Sequence, residues 1–199
     1  MKLTKINFIV LFILSAALFS CRDVAVPKPK GHFRIALPEK KYIGFGDQQG
    51  YKKGMPLSFE YPEYGKLSFQ NEKGEETGWL NIEFPAYKAI IYLTYKDVNN
   101  DFESLMEQTY KMNVKNHITK ADAIDEKQFN NIENKVYGVL YDLKGNTASA
   151  VQFYATDSTK HYLRGSLYFA AEPNADSLAP VIDFFREDIV HLIETIKWK

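Results

Sequence analysis

Cysteine is almost missing from this chain of 199 residues, which contains a single one, Cys21. One thiol allows no disulfide and no zinc–thiolate site within one chain, so a folded domain must be stabilised by burial of apolar side chains. Histidine is scarce too, and no two of the four histidines stand at the HxH, HxxxH or HExxH spacing of common metal sites. We therefore expect no metal and no cofactor.

Long hydrophobic runs are also missing, because the N-terminal apolar run, residues 6–20, is shorter than the roughly 20 residues of a transmembrane helix. Lys2 and Lys5 precede this run, and the segment Leu18-Phe19-Ser20-Cys21 matches a bacterial lipobox. We predict a lipoprotein signal peptide over 1–20 and a diacylglyceryl and acyl anchor on Cys21, since several acyl chains give stable membrane attachment. An ordinary secretory signal cleaved after Ser20 is the alternative.

An excess of positive charge is missing as well. Without Lys2 and Lys5, which belong to the signal, the chain has 23 basic and 25 acidic side chains. A nucleic-acid-binding protein shows a basic excess, so this class is excluded. Residues 21–31 contain Pro27 and Pro29 and predict a semi-rigid tether, and residues 32–199 have the length of a single globular domain.

The remaining chain shows mostly strand patterns. Residues 33–37 alternate between apolar and polar, and residues 38–56 are rich in glycine and predict a long surface loop. Further strands are predicted at 57–61, 66–70, 79–84, 88–95 (the central strand), 128–133, 136–143, 148–156 and 161–170. Apolar residues at three- and four-residue steps predict two helices, at about 101–117 and 177–197. Consecutive strands followed by a helix favour an α+β fold with a predominantly antiparallel sheet and both helices packed on it.

No catalytic motif accompanies this fold, so we expect no catalytic residues. Asp122 lies in a segment of small apolar residues that predicts partial burial, and a buried carboxylate would need a cation such as Lys120 or Arg164. A structural ion pair explains such an aspartate equally well. Aromatic residues of the predicted sheet form a candidate platform for sugars or peptides, although ordinary packing of a sheet face is the alternative. They are Trp79, Tyr87, Tyr92 and Tyr95.

Seven segments, in order along the chain, resemble the family of gliding-motility lipoproteins called GldD. They are residues 27–40 (PKPKGHFRIALPEK), 79–85 (WLNIEFP), 91–95 (IYLTY), 120–124 (KADAI), 135–138 (KVYG), 158–165 (STKHYLRG) and 183–189 (DFFREDI). The resemblance covers nearly the whole chain after Cys21 and implies a lipoprotein required for gliding, where motility is coupled to the type IX secretion system. It supplies no catalytic residue, and Cys21 matches the position of lipid attachment.

Taken together, the residues and the resemblance predict a non-enzymatic lipoprotein of the cell envelope, an accessory or assembly factor of the motility and secretion machinery. Its expected partners are the membrane, through the anchor, and other envelope proteins. We expect the outer membrane with the domain facing the periplasm, or alternatively the cell surface. A binding protein or processing enzyme for envelope glycans or peptides is the second hypothesis. The same α+β architecture occurs in PsbP/Mog1-like binding modules, which is an analogy of fold alone.

Overall fold

The computed structural model describes residues 35–46, 54–69 and 78–199. These residues belong to a compact unit over Ile35–Lys199. The predicted signal peptide, Cys21 and the predicted tether lie outside the described residues. In the part of the chain that is described, no helix combines the length and the apolar character needed to cross a membrane.

A large antiparallel sheet organises the fold. Its strands lie in the order β3-β4-β5-β9-β8-β7-β6, so β5 is an interior strand and β9 occupies the centre. The strands are β3 (Lys66–Ser68), β4 (Trp79–Phe84), β5 (Ala89–Asp97), β6 (Ala123–Asn131), β7 (Val136–Lys144), β8 (Val151–Thr156) and β9 (His161–Phe169). From β6 to β9 each strand pairs with the next one along the chain, as the predicted meander requires.

A second, smaller sheet completes the core. It contains β1 (Tyr42–Phe45), β2 (Leu57–Pro62) and β10 (Lys197–Trp198), with β2 in the middle. The apolar residues of β2 alternate along the strand, so that Leu57, Phe59 and Tyr61 join the same buried cluster as the large sheet.

The C-terminal helix, α2 (Ala175–Glu194), packs on one face of the large sheet, which we call the core face. Val181, Phe185, Ile189 and Leu192 recur at three- and four-residue steps and are all buried there. The Asn174 side chain caps the helix by accepting a hydrogen bond from the Ser177 N–H.

The other helix covers part of the opposite face, which we call the second face. Helix α1 (Phe102–Tyr110) continues into one π-helical turn, Lys111–Lys115. Val114 in this turn packs in a small second core with residues of β7. Because α1 and its turn are short, the second face stays open toward β4 and β5.

The α+β class and the two helices are confirmed, but several predicted boundaries are wrong. The strand predicted at 128–133 begins earlier, at Ala123, because β6 pairs with β7 along its whole length. The α-helix predicted to end at about 117 ends at Tyr110, where the π-helical turn begins. Residues 35–37 lie in no strand, because Ile35 and Leu37 remain exposed and the Ala36 carbonyl accepts a hydrogen bond from the Tyr87 hydroxyl instead. The predicted loop 38–56 contains β1, which pairs with β2. The final helix ends at Glu194 rather than 197, because the last residues turn to pair with β2 as β10.

Candidate binding cleft

A cleft of about 410 Å³ lies between α1 and the open part of the second face. We call it the aromatic cleft and define it by six of its lining residues, Trp79, Tyr92, Lys96, Leu105, Met112 and Arg164. Its volume lies within the range of small-molecule and peptide side-chain pockets.

The floor of the aromatic cleft is set by strand register. Trp79 of β4, Thr94 of β5 and Arg164 of β9 lie directly opposite one another across three strands. Because side chains alternate along a strand, all three project from the second face. Trp79 and Tyr92 keep 41% and 38% of their surface exposed, so their rings are available to a ligand.

Helix α1 forms the opposite wall. Leu105 and Thr109 are buried against the sheet, whereas Met112, one turn later, is exposed at the mouth of the cleft. The Thr109 hydroxyl hydrogen-bonds the Tyr162 hydroxyl and thereby fixes the helix on β9. Burial raises the pKa of Tyr162 to about 12, so this phenol stays neutral and available for the bond.

Arg164 is the charged group that β9 contributes to the floor. Its Nε donates to Asn113 Oδ1 at 3.1 Å, and one Nη donates to Gln152 Oε1 at 3.0 Å. Both acceptors are neutral, and among the described residues no carboxylate pairs with this guanidinium. Burial lowers the pKa of Arg164, but an arginine remains charged under any physiological condition. The aromatic cleft therefore contains a half-buried positive charge without a negative partner in the described chain.

The surroundings of Arg164 are polar and neutral. The Gln152 amide donates to His117 Nε2 at 3.1 Å, which fixes that ring nitrogen as an acceptor and the imidazole as neutral. Burial, together with the positive charges of Arg164 and Lys120, lowers the pKa of His117. Asn113 Nδ2 and Ser166 Oγ are buried and have no hydrogen-bond partner among the described residues.

The structure brings together three of the residues that the sequence analysis named, Trp79, Tyr92 and Arg164. Two others pack on the core side: the half-buried Tyr87 ring lies against Phe185 at 5.7 Å, and Tyr95 is buried in the main core cluster. Tyr87 and Tyr95 therefore belong to the core of the fold and do not line the aromatic cleft.

Asp122 differs from its prediction. Its side chain is exposed beside Gly145, where the chain enters β6, and Arg164 bonds other residues. The predicted burial is wrong because β6 is the outermost strand of the large sheet, so its neighbourhood faces solvent.

The sequence analysis missed a buried polar cluster on the other side of the sheet. Asp188 of α2 accepts hydrogen bonds from Lys40 Nζ at 2.7 Å and from the hydroxyls of Tyr42 and Tyr64 at 3.0 and 2.5 Å. The sequence contained one sign of this cluster, an aspartate directly before Ile189 of the apolar stripe of the helix. Its hydrogen-bond donors could not be predicted, because they come from segments that are distant in the sequence. Within the described ranges, no group of three His, Cys, Asp or Glu side chains is placed to hold a metal ion.

Comparisons with known proteins address the family. The fold is similar to the solution structure of cyanobacterial PsbP (CyanoP) from Synechocystis sp. PCC 6803, with a TM-score of 0.47 and 9% identity over 92% of this chain and 99% of that chain. No curated protein matches the chain. The family model described as "Gliding motility lipoprotein GldD" matches residues 22–198. This match spans nearly the whole chain after Cys21, and the chain therefore belongs to the gliding motility lipoprotein GldD family.

Proposed function

We propose that this lipoprotein is a non-enzymatic accessory or assembly factor of the gliding and type IX secretion machinery, and that it acts through protein contacts. Membership of the family supports the link to motility. The observation that carries the proposal is the aromatic cleft, in which exposed rings surround a positive charge that has no carboxylate partner in the described chain. Apolar rings around such a charge are typical of a binding site.

The proposed anchor on Cys21 would keep this domain at the outer membrane, facing the periplasm, with the cell surface as the alternative. Ala36, whose carbonyl accepts a hydrogen bond from Tyr87 in the domain, lies fifteen positions after Cys21. A fully extended chain covers at most about 3.5 Å per residue, so the domain stays within roughly 50 Å of its anchor. This reach suits a partner that is itself in the envelope.

A crosslinking pull-down from the native envelope, with Cys21 intact, tests the proposal. We expect the chain to recover other motility or secretion proteins of the envelope. Recovery of none under mild crosslinking, with the protein present in the membrane fraction, would contradict an accessory role.

The aromatic cleft also favours a second candidate function, the binding of envelope glycans or peptides. Exposed tryptophan and tyrosine side chains beside a concave site stack on both kinds of ligand. Binding of purified glycan fragments, with no envelope protein crosslinked, would favour this second candidate over the first.

A further inference from the structure

The charged side chains that the structure places along the aromatic cleft are all positive. Arg164 and Lys96 both line it, and among the residues that the structure describes no aspartate or glutamate does. A charge partly withdrawn from water is costly unless a charge of opposite sign compensates it, and Arg164 bonds only neutral amides among the described residues. A carboxylate would supply this opposite charge, since its two oxygens match the planar donors of a guanidinium.

The spacing of the floor shows what accompanies this carboxylate. Trp79 and Arg164 lie two strands apart in register, which corresponds to about 10 Å between their backbones. In an extended peptide, residues i and i+2 project to the same side about 7 Å apart, and flexible side chains cover the remaining distance. An acidic residue on Arg164 thus places the apolar side chain two residues away at Trp79 and Tyr92.

The wall formed by α1 and its π-helical turn combines apolar and polar surface, which suits a peptide. Exposed Met112 gains free energy by covering an apolar side chain, and Gln108 can hydrogen-bond the amides of a peptide backbone. Methionine also adapts its shape to different side chains. At about 410 Å³, the cleft has room for a few side chains and not for a folded element.

We propose that the aromatic cleft is the partner-binding site of this lipoprotein and that it captures an extended acidic segment of an envelope protein. In this segment an aspartate or glutamate binds Arg164, and an apolar side chain two residues away packs between Trp79, Tyr92 and Met112. The inference deepens the proposed function and rests on it.

A peptide titration tests the site itself. The full lipid-bearing chain in detergent micelles is titrated with a fluorescent peptide blocked at both ends, Gly-Asp-Gly-Phe-Gly, and with the same peptide carrying Asn in place of Asp. We expect saturable binding of the acidic peptide and at least about tenfold weaker binding of the Asn peptide, because a charge-assisted hydrogen bond is lost. Equal affinities, or no binding at millimolar peptide, would overturn the proposal.

Three variants assign the effect to the cleft. Arg164→Gln keeps amide partners for Asn113 and Gln152 and should remove the discrimination between the two peptides. Trp79→Ala, at an exposed position that leaves the core intact, should weaken both peptides about equally. Lys41→Gln, an exposed cation paired with Glu39, should change neither. If Arg164→Gln fails to fold, the Trp79→Ala variant tests the proposal. Peptide affinities of Trp79→Ala equal to those of the unchanged chain would then overturn it.

Two further outcomes separate the alternatives. A variant with Glu72, Glu75 and Glu76 changed to Gln tests whether a carboxylate of this chain competes with the peptide for Arg164. If the variant binds the acidic peptide at least tenfold more tightly, a glutamate of residues 72–76 is the natural partner of Arg164 and the proposal is wrong. In the native envelope, a pull-down in which Trp79→Ala recovers the same partners as the unchanged chain overturns this site but leaves the accessory function standing. Recovery of no partner by the unchanged chain removes the accessory function, and the titration then decides the site alone.

Discussion

Asp188 shows how much one residue contributes to this fold. Its side chain has no exposed surface, and its carboxylate is bonded by Lys40 and by two tyrosine hydroxyls. Lys40 lies in the segment that joins the domain to Cys21, and its Nζ also donates to the Phe184 carbonyl at 2.7 Å. The cluster therefore fixes the chain around Lys40 on α2.

Replacing Lys40 tests this cluster. Lys40→Met leaves a buried carboxylate without a cation, and we expect the free energy of unfolding to fall by about 3 kcal/mol. The neighbouring Lys41→Met is the control, because Lys41 pairs with an exposed glutamate and such pairs contribute at most about 1 kcal/mol. Denaturant unfolding of both variants measures the difference, and equal losses would show that the buried pair has no special role.

His117 makes stability depend on pH. Burial and the charges of Arg164 and Lys120 lower its pKa in the folded state, so the unfolded chain binds the proton more readily. Stability from this group is therefore fully present above the unfolded pKa of about 6.5 and falls as the pH drops toward the lowered folded value. Unfolding measured from pH 8 to pH 5 should show this fall, and His117→Gln should flatten it. Parallel pH profiles for the two proteins would contradict this origin.

At the scale of the elements, the centre of the large sheet depends on a close contact between β8 and β9. Gly165 lies opposite Phe153, and a Cβ placed at Gly165 would come within 2.0 Å of the buried Phe153 ring. The ring covers the glycine on the core face and fills the space that a larger residue would take.

Gly165→Ala should push this ring out of its place, and overpacking of this kind costs about 1–3 kcal/mol. Gly44→Ala in β1 is the matched control, because a Cβ there meets no atom within 4 Å. We expect its unfolding midpoint in denaturant to stay close to that of the unchanged chain. A midpoint shift as large for Gly44→Ala as for Gly165→Ala would refute the packing argument.

Most elements were predictable from sequence, but β1, β10 and the first half of β6 were not. The stripe of Val181, Phe185 and Ile189 determines α2, and the alternation in β7 and β9 determines those strands. In contrast, β1 and β10 exist because both pair with β2, a tertiary contact that no local pattern contains. The aromatic cleft also depends on a tertiary contact. Alternation along β5 places Tyr92 and Tyr95 on opposite faces of the sheet, but the position of α1 decides which face stays open.

At the scale of the whole molecule, we expect membrane attachment and partner binding to depend on different parts of the chain, Cys21 and the folded domain. Cys21→Ala should leave the fold intact, because the described core begins beyond it, and should release the protein from the membrane fraction. Circular dichroism and cell fractionation check the two parts of this prediction. A variant that still fractionates with membranes and supports normal gliding would show that the anchor is dispensable.

We expect this lipoprotein to contact an envelope partner through the aromatic cleft. A photo-crosslinking amino acid in place of Trp79 tests it in the native envelope, with the same amino acid in place of Ile132 as control, since Ile132 is 75% exposed just beyond β6. We predict adducts with a motility or secretion protein from position 79 and none from position 132. Adducts from position 132 alone, or from neither position, would contradict the claim.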